Sequence, residues 1–84
     1  MSSNDINVGK LADALVIASK EQKNSRAATL LMSTADHVRR YGEPHDCLIL
    51  AMTFIAGVNA GAGDSDLILQ LDAGLIRAVN RSGL

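Results

Sequence analysis

Aromatic residues, proline and cysteine are scarce in this chain, whose 84 residues include one Phe, one Tyr, one Pro, one Cys and no Trp. The single cysteine, Cys47, cannot form a disulfide within the chain. The first residues also lack the basic and apolar regions of a secretory signal. These absences argue against a secreted, disulfide-rich protein, and we expect a location in the cytoplasm. Ala and Leu remain as the main core residues, and side chains this small let helices approach closely.

Strong charge of either sign is also missing, because eight basic and nine acidic residues give a net charge of −1. Binding to nucleic acid depends mainly on cations, so the sequence predicts no nucleic-acid partner. The charges are unevenly distributed: residues 1–42 carry six Lys or Arg against four acids (+2), whereas residues 43–84 carry two against five (−3). Such a polarised surface would orient a partner or a second copy of the chain.

One long segment, from Cys47 to Gly63, has no charge over 17 residues. It is interrupted by polar residues and glycines, and acids flank it, at Asp46 and Asp64, where a membrane helix would have cations. We therefore expect a buried helix followed by a loop, and no membrane span. The helix is apolar nearly all round, which is typical of a helix surrounded by others.

Apolar residues recur at helical spacing along most of the chain, and no segment alternates as a β-strand does. We expect an all-α fold in which three to four antiparallel helices form one domain that covers the whole chain. A kinked helix that continues through residues 19–25 is the alternative for the first two helices. The four predicted helices span about residues 7–20, 25–41, 44–60 and 65–81.

The best-marked helix boundary lies between the second and third helices. Arg39 and Arg40 fall in the last turn, where the helix dipole favours cations. We expect Gly42 to adopt a left-handed cap conformation and Pro44 to be the first residue of the next helix, where its missing N–H is not needed. The sequence therefore predicts a tight helical hairpin.

The other boundaries depend on residues that cap helices. Asn24 or Ser25 is the expected N-cap of the second helix, and Asp64 or Ser65 that of the fourth. Residues 61–66 are rich in glycine and acids, and we expect them to form the loop before the fourth helix.

Candidate metal ligands and nucleophiles are few. His37, His45 and Cys47 are the only soft metal ligands, and a structural zinc site needs four ligands in paired short spacings. His45 and Cys47 lie two residues apart on a predicted helix, so they point to different sides, and the sequence favours Cys47 as a small core residue. We expect no catalytic residue, no metal and no cofactor, and an enzyme that uses these side chains is the third hypothesis.

When one apolar side of each predicted helix is assigned to the core, further apolar residues remain. They form one stripe on the third helix and one on the fourth, and both need cover. If the first helix covers the stripe on the third, the need for a partner largely disappears. The predicted partner-binding residues are Leu48, Met52, Ile55, Leu69, Ala73 and Ile76.

Residues 28–61 resemble one helical hairpin of the tetratricopeptide type. Departures from the repeat include Asn59, where a terminal proline is expected, and the absence of a second copy one period later. The matching positions, which alternate large and small residues around the turn glycine, are Leu31, Ala35, Val38, Gly42 and Cys47.

Small chaperones of bacterial type III secretion have this helical, tetratricopeptide-like plan. The resemblance implies a non-catalytic chaperone that holds a helical subunit in an apolar groove within a heteromeric complex. The leading hypothesis is accordingly a cytoplasmic adaptor or chaperone whose third and fourth helices bind an amphipathic helix of a partner protein. The alternative is a homo-oligomeric regulatory or ligand-binding protein of a phage or bacterium, with its site between protomers.

Overall fold

The computed structural model describes residues 7–43 and 46–83, which form four helices joined by short connections and contain no strand. The predicted all-α fold is confirmed. The bounds of the first two helices match the prediction. The helices are α1 (Asn7–Lys20), α2 (Ser25–Tyr41), α3 (Cys47–Ala62) and α4 (Ser65–Ser82).

A sharp turn separates α1 from α2, so the two are not one kinked helix. The Asn24 side chain caps α2 by accepting hydrogen bonds from the backbone N–H groups of Arg26 and Ala27, at 3.0 and 3.1 Å. The helices then run antiparallel, because Arg39 late in α2 pairs with Asp13 midway along α1. This hairpin is the most closely packed pair of helices in the fold.

Gly42 ends α2 in an extended conformation, with φ −73° and ψ 141°, so the predicted left-handed cap is wrong. Its N–H donates to the Val38 carbonyl oxygen at 2.8 Å, which satisfies that carbonyl without a left-handed residue. A Cβ at this position would lie 2.5 Å from the same oxygen. Glycine is therefore needed here for a close backbone approach.

The bounds of α3 differ from the prediction at both ends. The helix begins at Cys47, three residues later than expected, and Pro44 and His45 lie outside the described residues. It also continues through Gly61 to Ala62, because the chain reverses only where Gly63 adopts a left-handed conformation with φ 64°. The loop predicted for residues 61–66 is therefore reduced to residues 63 and 64.

The α4 helix lies across the turn end of the α1–α2 hairpin. Asp64 caps it, accepting from the N–H groups of Asp66 and Leu67 at 3.1 and 3.3 Å. Near its start Asp66 accepts a hydrogen bond from Asn24 at 3.4 Å. Near its end the Arg81 guanidinium donates to both carboxylate oxygens of Glu21, at 3.3 and 3.1 Å. The turn between α1 and α2 is thus linked to both ends of α4.

The core is formed mainly by α1 and α2, and α3 adds Cys47, Ala51 and Ile55 to it. Of the other three helices α1 is the one that α3 contacts least, since α1 packs mainly on α2 and α4. The expectation that α3 is surrounded by other helices is therefore wrong. The buried apolar residues of the other helices are Leu11, Ala12, Ala14, Leu15, Ala18, Ala27, Leu31, Ala35, Val38, Leu67, Leu71 and Ala78.

Gly74 lets α4 approach the hairpin closely. A Cβ on this residue would lie 2.5 Å from Cδ1 of Leu31, which is fully buried, and 3.3 Å from Nε2 of Gln22. The space saved by the missing side chain is filled by the Leu31 side chain of α2.

Gly74→Ala should destabilise the protein, because the new methyl group forces Leu31 out of its packed position. Overpacking of this kind costs about 1–3 kcal/mol, of which the better helix propensity of alanine returns roughly 1 kcal/mol. The matched control is Gly57→Ala in α3, where a Cβ meets nothing within 4 Å, and it should stabilise by about 0.5–1 kcal/mol. Urea unfolding of both variants checks the difference in sign, and equal stabilisation would contradict the packing.

Protonation of Glu21 should weaken the link between the turn and α4. The hydrogen bonds from Arg81 lower the pKa of this carboxyl group below its ordinary value of 4.5. A group with a lowered folded pKa stabilises the fold above its unfolded pKa, and that contribution disappears as the pH falls through the folded value. Between about pH 6 and pH 3 the wild type should therefore lose more stability than Glu21→Gln in urea unfolding. An identical pH dependence in the two proteins would contradict the assignment.

Candidate functional site

The outer side of α3 exposes a stripe of apolar residues to solvent. No residue of this helix is charged, yet Ile49 and Met52 are 65% and 52% exposed. Ala56 is exposed as well. The three residues are spaced three and four apart, so they lie along one side of the helix. Ala51 and Ile55 point into the core on an adjoining side of the helix.

The α4 helix carries a second exposed apolar stripe. Leu69 and Ile76 are 67% and 60% exposed, although their neighbours Leu67, Leu71 and Ala78 are fully buried. Ala73 lies between them and is half-buried. The helix thus has one side buried in the core, but two of its largest apolar side chains point away from that side.

A hydrogen bond between α3 and α4 shows that the two stripes border the same seam. The Nδ2 atom of Asn59 donates to Oδ1 of Asp72 at 3.0 Å. Asn59 follows Ala56 by three residues and therefore lies on the same side of α3, while Asp72 lies three residues after Leu69 and four before Ile76 on α4. We call the surface formed by the two stripes, together with Leu48 four residues before Met52, the α3–α4 surface. Its residues are Leu48, Ile49, Met52, Ala56, Leu69, Ala73 and Ile76.

Five of the six residues predicted to bind a partner lie on this surface. Met52, Leu69 and Ile76 are exposed, and Leu48 and Ala73 are half-buried. The sixth, Ile55, is only 2% exposed and belongs to the core, so its predicted placement on the uncovered stripe is wrong.

Ile49 replaces Ile55 on the exposed side of α3. Sequence reasoning missed it because α3 is apolar in every direction, so hydropathy hardly distinguishes its sides. The signal that was available is the spacing of three between Ile49 and Met52, which is as helical as that between Met52 and Ile55.

A broad groove lies over α2, with a volume of about 840 Å³. The end of α1, with Lys20, lies at one side, and Phe54 of α3 lies at another. His37 lies between the only two carbon aromatic rings of the chain, with centroid distances of 5.0 Å to Tyr41 and 4.8 Å to Phe54. Sequence reasoning missed this cluster, because Phe54 lies 13 residues after Tyr41 and 17 after His37, beyond the turn between α2 and α3.

Two of the candidate ligands predicted from the sequence, His37 and Cys47, lie in the part of the chain that the structure describes. Cys47 is buried at the start of α3, and burial raises the pKa of its thiol, which disfavours the reactive thiolate. Across residues 7–43 and 46–83, no three His, Cys, Asp or Glu side chains are grouped closely enough to hold a metal ion. Within the same residues, no helix combines the length and hydropathy needed to cross a bilayer.

Comparison of the chain with models of protein families, with curated proteins and with solved structures found no match.

The two sides of α3 should respond very differently to truncation. Ile55→Ala removes a buried side chain and should lower the free energy of unfolding by about 2–4 kcal/mol. Met52→Ala, three residues away but half exposed, should change it by less than about 0.5–1 kcal/mol. Urea unfolding followed by circular dichroism measures both. Equal losses would show that the inward side of α3 has been assigned incorrectly.

Proposed function

We propose that this protein is a non-catalytic helical interaction module, an adaptor or chaperone, that binds an amphipathic helix of a partner protein along the α3–α4 surface. The observation that carries this proposal is the exposed apolar surface of α3. This uncharged helix buries only three residues in the fold and leaves Ile49 and Met52 exposed beside the exposed stripe of α4. A location in the cytoplasm, and the chaperone role implied by the tetratricopeptide-like hairpin, are parts of the same proposal.

The geometry of the surface favours a helical partner. The α3 and α4 helices lie side by side, and the seam between two neighbouring helices is a groove into which the ridge of a third helix packs. The described residues contain no strand, so they provide no sheet edge to which an extended peptide could add as a further strand. A helix with apolar residues three and four apart matches the spacing of Ile49, Met52 and Ala56.

The surface supports a reversible complex. Full burial of a large apolar side chain contributes about 1.5–3 kcal/mol, so four such side chains that are already partly covered offer roughly 4–7 kcal/mol. Association costs of similar size oppose this gain. The resulting affinity is modest, which suits a partner that must be released, as a chaperone's client is.

A double variant on the α3–α4 surface tests the proposal. Met52→Asp with Leu69→Asp should abolish assembly with the partner and leave the helical content unchanged, because both side chains are exposed and make little core contact. The matched control is Ile17→Asp on α1, which alters an apolar residue that is 44% exposed but lies away from the surface. Co-purification from the native cells with defined stoichiometry, together with circular dichroism, measures the two effects.

Unaltered assembly of the double variant would rule out this surface. Light scattering of the purified chain separates the alternative function. A defined homo-oligomer that the double variant dissociates would favour the self-associating regulatory protein over the adaptor.

A further inference from the structure

The groove beside α2 shares none of its lining residues with the α3–α4 surface. Its floor is the outer side of α2 from Ala28 to Tyr41, which is about 20 Å along the helix axis. Ser19 and Lys20 at the end of α1 form one wall, and Phe54 of α3 forms another. We call this concave region the α2 groove.

The dimensions of the α2 groove suit a small flat molecule better than a helix. Its volume of about 840 Å³ lies within the range of about 300–1,000 Å³ that small-molecule sites occupy. Divided by its length, this volume gives a mean cross-section of about 40 Å². A helix about 10 Å across has a cross-section of about 80 Å². A partner helix would therefore protrude from the groove, whereas a fused ring system fits within it.

Aromatic side chains at one end of the α2 groove offer both ring faces and polar atoms. The His37 imidazole packs against Tyr41 and Phe54, at centroid distances of 5.0 and 4.8 Å. Tyr41 is 66% exposed, so its ring can pack against a further aromatic ring. Among the described residues, no hydrogen bond engages the His37 ring or the Tyr41 hydroxyl. Their donors and acceptors are therefore available to a ligand.

The charges that line the α2 groove favour an anion. They belong to Lys20, Asp36 and Arg40. Asp36 pairs with Arg40 at 3.0 Å, so these two charges offset each other. Lys20 has no ion-pair partner among the described residues. It lies in the last turn of α1, where the helix dipole offsets only about half a charge. The lining therefore keeps a net positive charge.

We infer that the α2 groove binds a small aromatic anion of two or three rings with one acid group. The rings pack on Met32 and on the aromatic end of the groove, and the acid group faces Lys20 at the α1 wall. Apolar walls with a few polar groups that orient the ligand are typical of small-molecule sites. The site is independent of the proposed function, because the partner helix is proposed to bind elsewhere.

Two fluorescent dyes test the inference on the full chain. Anilinonaphthalene sulfonate is an aromatic anion, and phenylnaphthylamine has the same rings without the sulfonate group. Both dyes become brighter in apolar surroundings, so titration of each dye with protein measures its affinity. A salt concentration of about 0.05 M keeps the screening of charge interactions weak.

Substitutions at exposed residues of the groove change its charge in opposite directions. Lys20→Gln should weaken binding of the sulfonate dye about threefold, because one exposed charge pair contributes a few-fold. Asp36→Asn releases Arg40 from its ion pair and should strengthen binding of this dye about threefold. Neither change should affect the neutral dye. The matched control, Lys10→Gln, removes the same charge from outside the groove and should leave both affinities unchanged.

Two further variants locate the rings of the dyes. Tyr41→Leu keeps an apolar side chain but removes the aromatic ring, so it should weaken both dyes about fivefold. Circular dichroism checks that the fold is retained, as expected for a side chain that is mostly exposed. Met52→Ser with Leu69→Ser alters the α3–α4 surface and should leave the affinity for both dyes unchanged.

The contrary outcomes are distinct from one another. Dye binding that is lost with Met52→Ser and Leu69→Ser, but not with Tyr41→Leu, would place the dyes on the α3–α4 surface and overturn the inference. Binding that depends on Tyr41 but ignores both Lys20→Gln and Asp36→Asn would overturn the assignment of an anion. A dimer that Tyr41→Leu dissociates would make a second copy the occupant and overturn it as well. Failure of both dyes to bind would overturn the inference and leave the proposed function standing, since assembly with a protein partner tests that separately.

Discussion

The contact between Leu31 and the bare backbone of Gly74 controls how the helices share the available apolar surface. It lets α4 lie close across the turn end of the α1–α2 hairpin, where Asn24 and Glu21 hold its two ends. Once α4 occupies that place, α1 is covered by α2 and α4 and has little contact left to offer α3. Ile49 and Met52 are exposed as a result, because α2 and α4 cannot cover α1 and also surround the uncharged α3.

Helix bounds could be predicted from the sequence wherever a polar side chain marks them. Asn24 and Asp64 lie at the starts of α2 and α4 and cap them as expected, and both helices have one side that is clearly polar. The end of α3 was misplaced because glycine alone marks it, and of Gly61 and Gly63 only the second has the left-handed conformation that ends a helix. The conformation of Gly42 depends on a close contact with Val38, which no local pattern shows.

The sequence was enough to predict which helices carry the candidate site, but only some of the residues. Hydropathy assigned the outward residues of α4 correctly, since Leu69 and Ile76 oppose a core stripe that includes Leu67 and Leu71. It could not do so for α3, whose sides are equally apolar, and the choice between Ile49 and Ile55 was decided by packing on α2 and α4.

The small number of residues that α3 buries also has a consequence for how the protein opens. A helix with three core side chains has less to lose on local unfolding than α1 or α2, so its backbone amides should exchange with solvent well before those of the hairpin. Anything that covers the α3–α4 surface adds the contacts that α3 lacks, and so protects those amides in proportion to its binding. Any binding on this surface would therefore also complete the packing of α3, as one thermodynamic event.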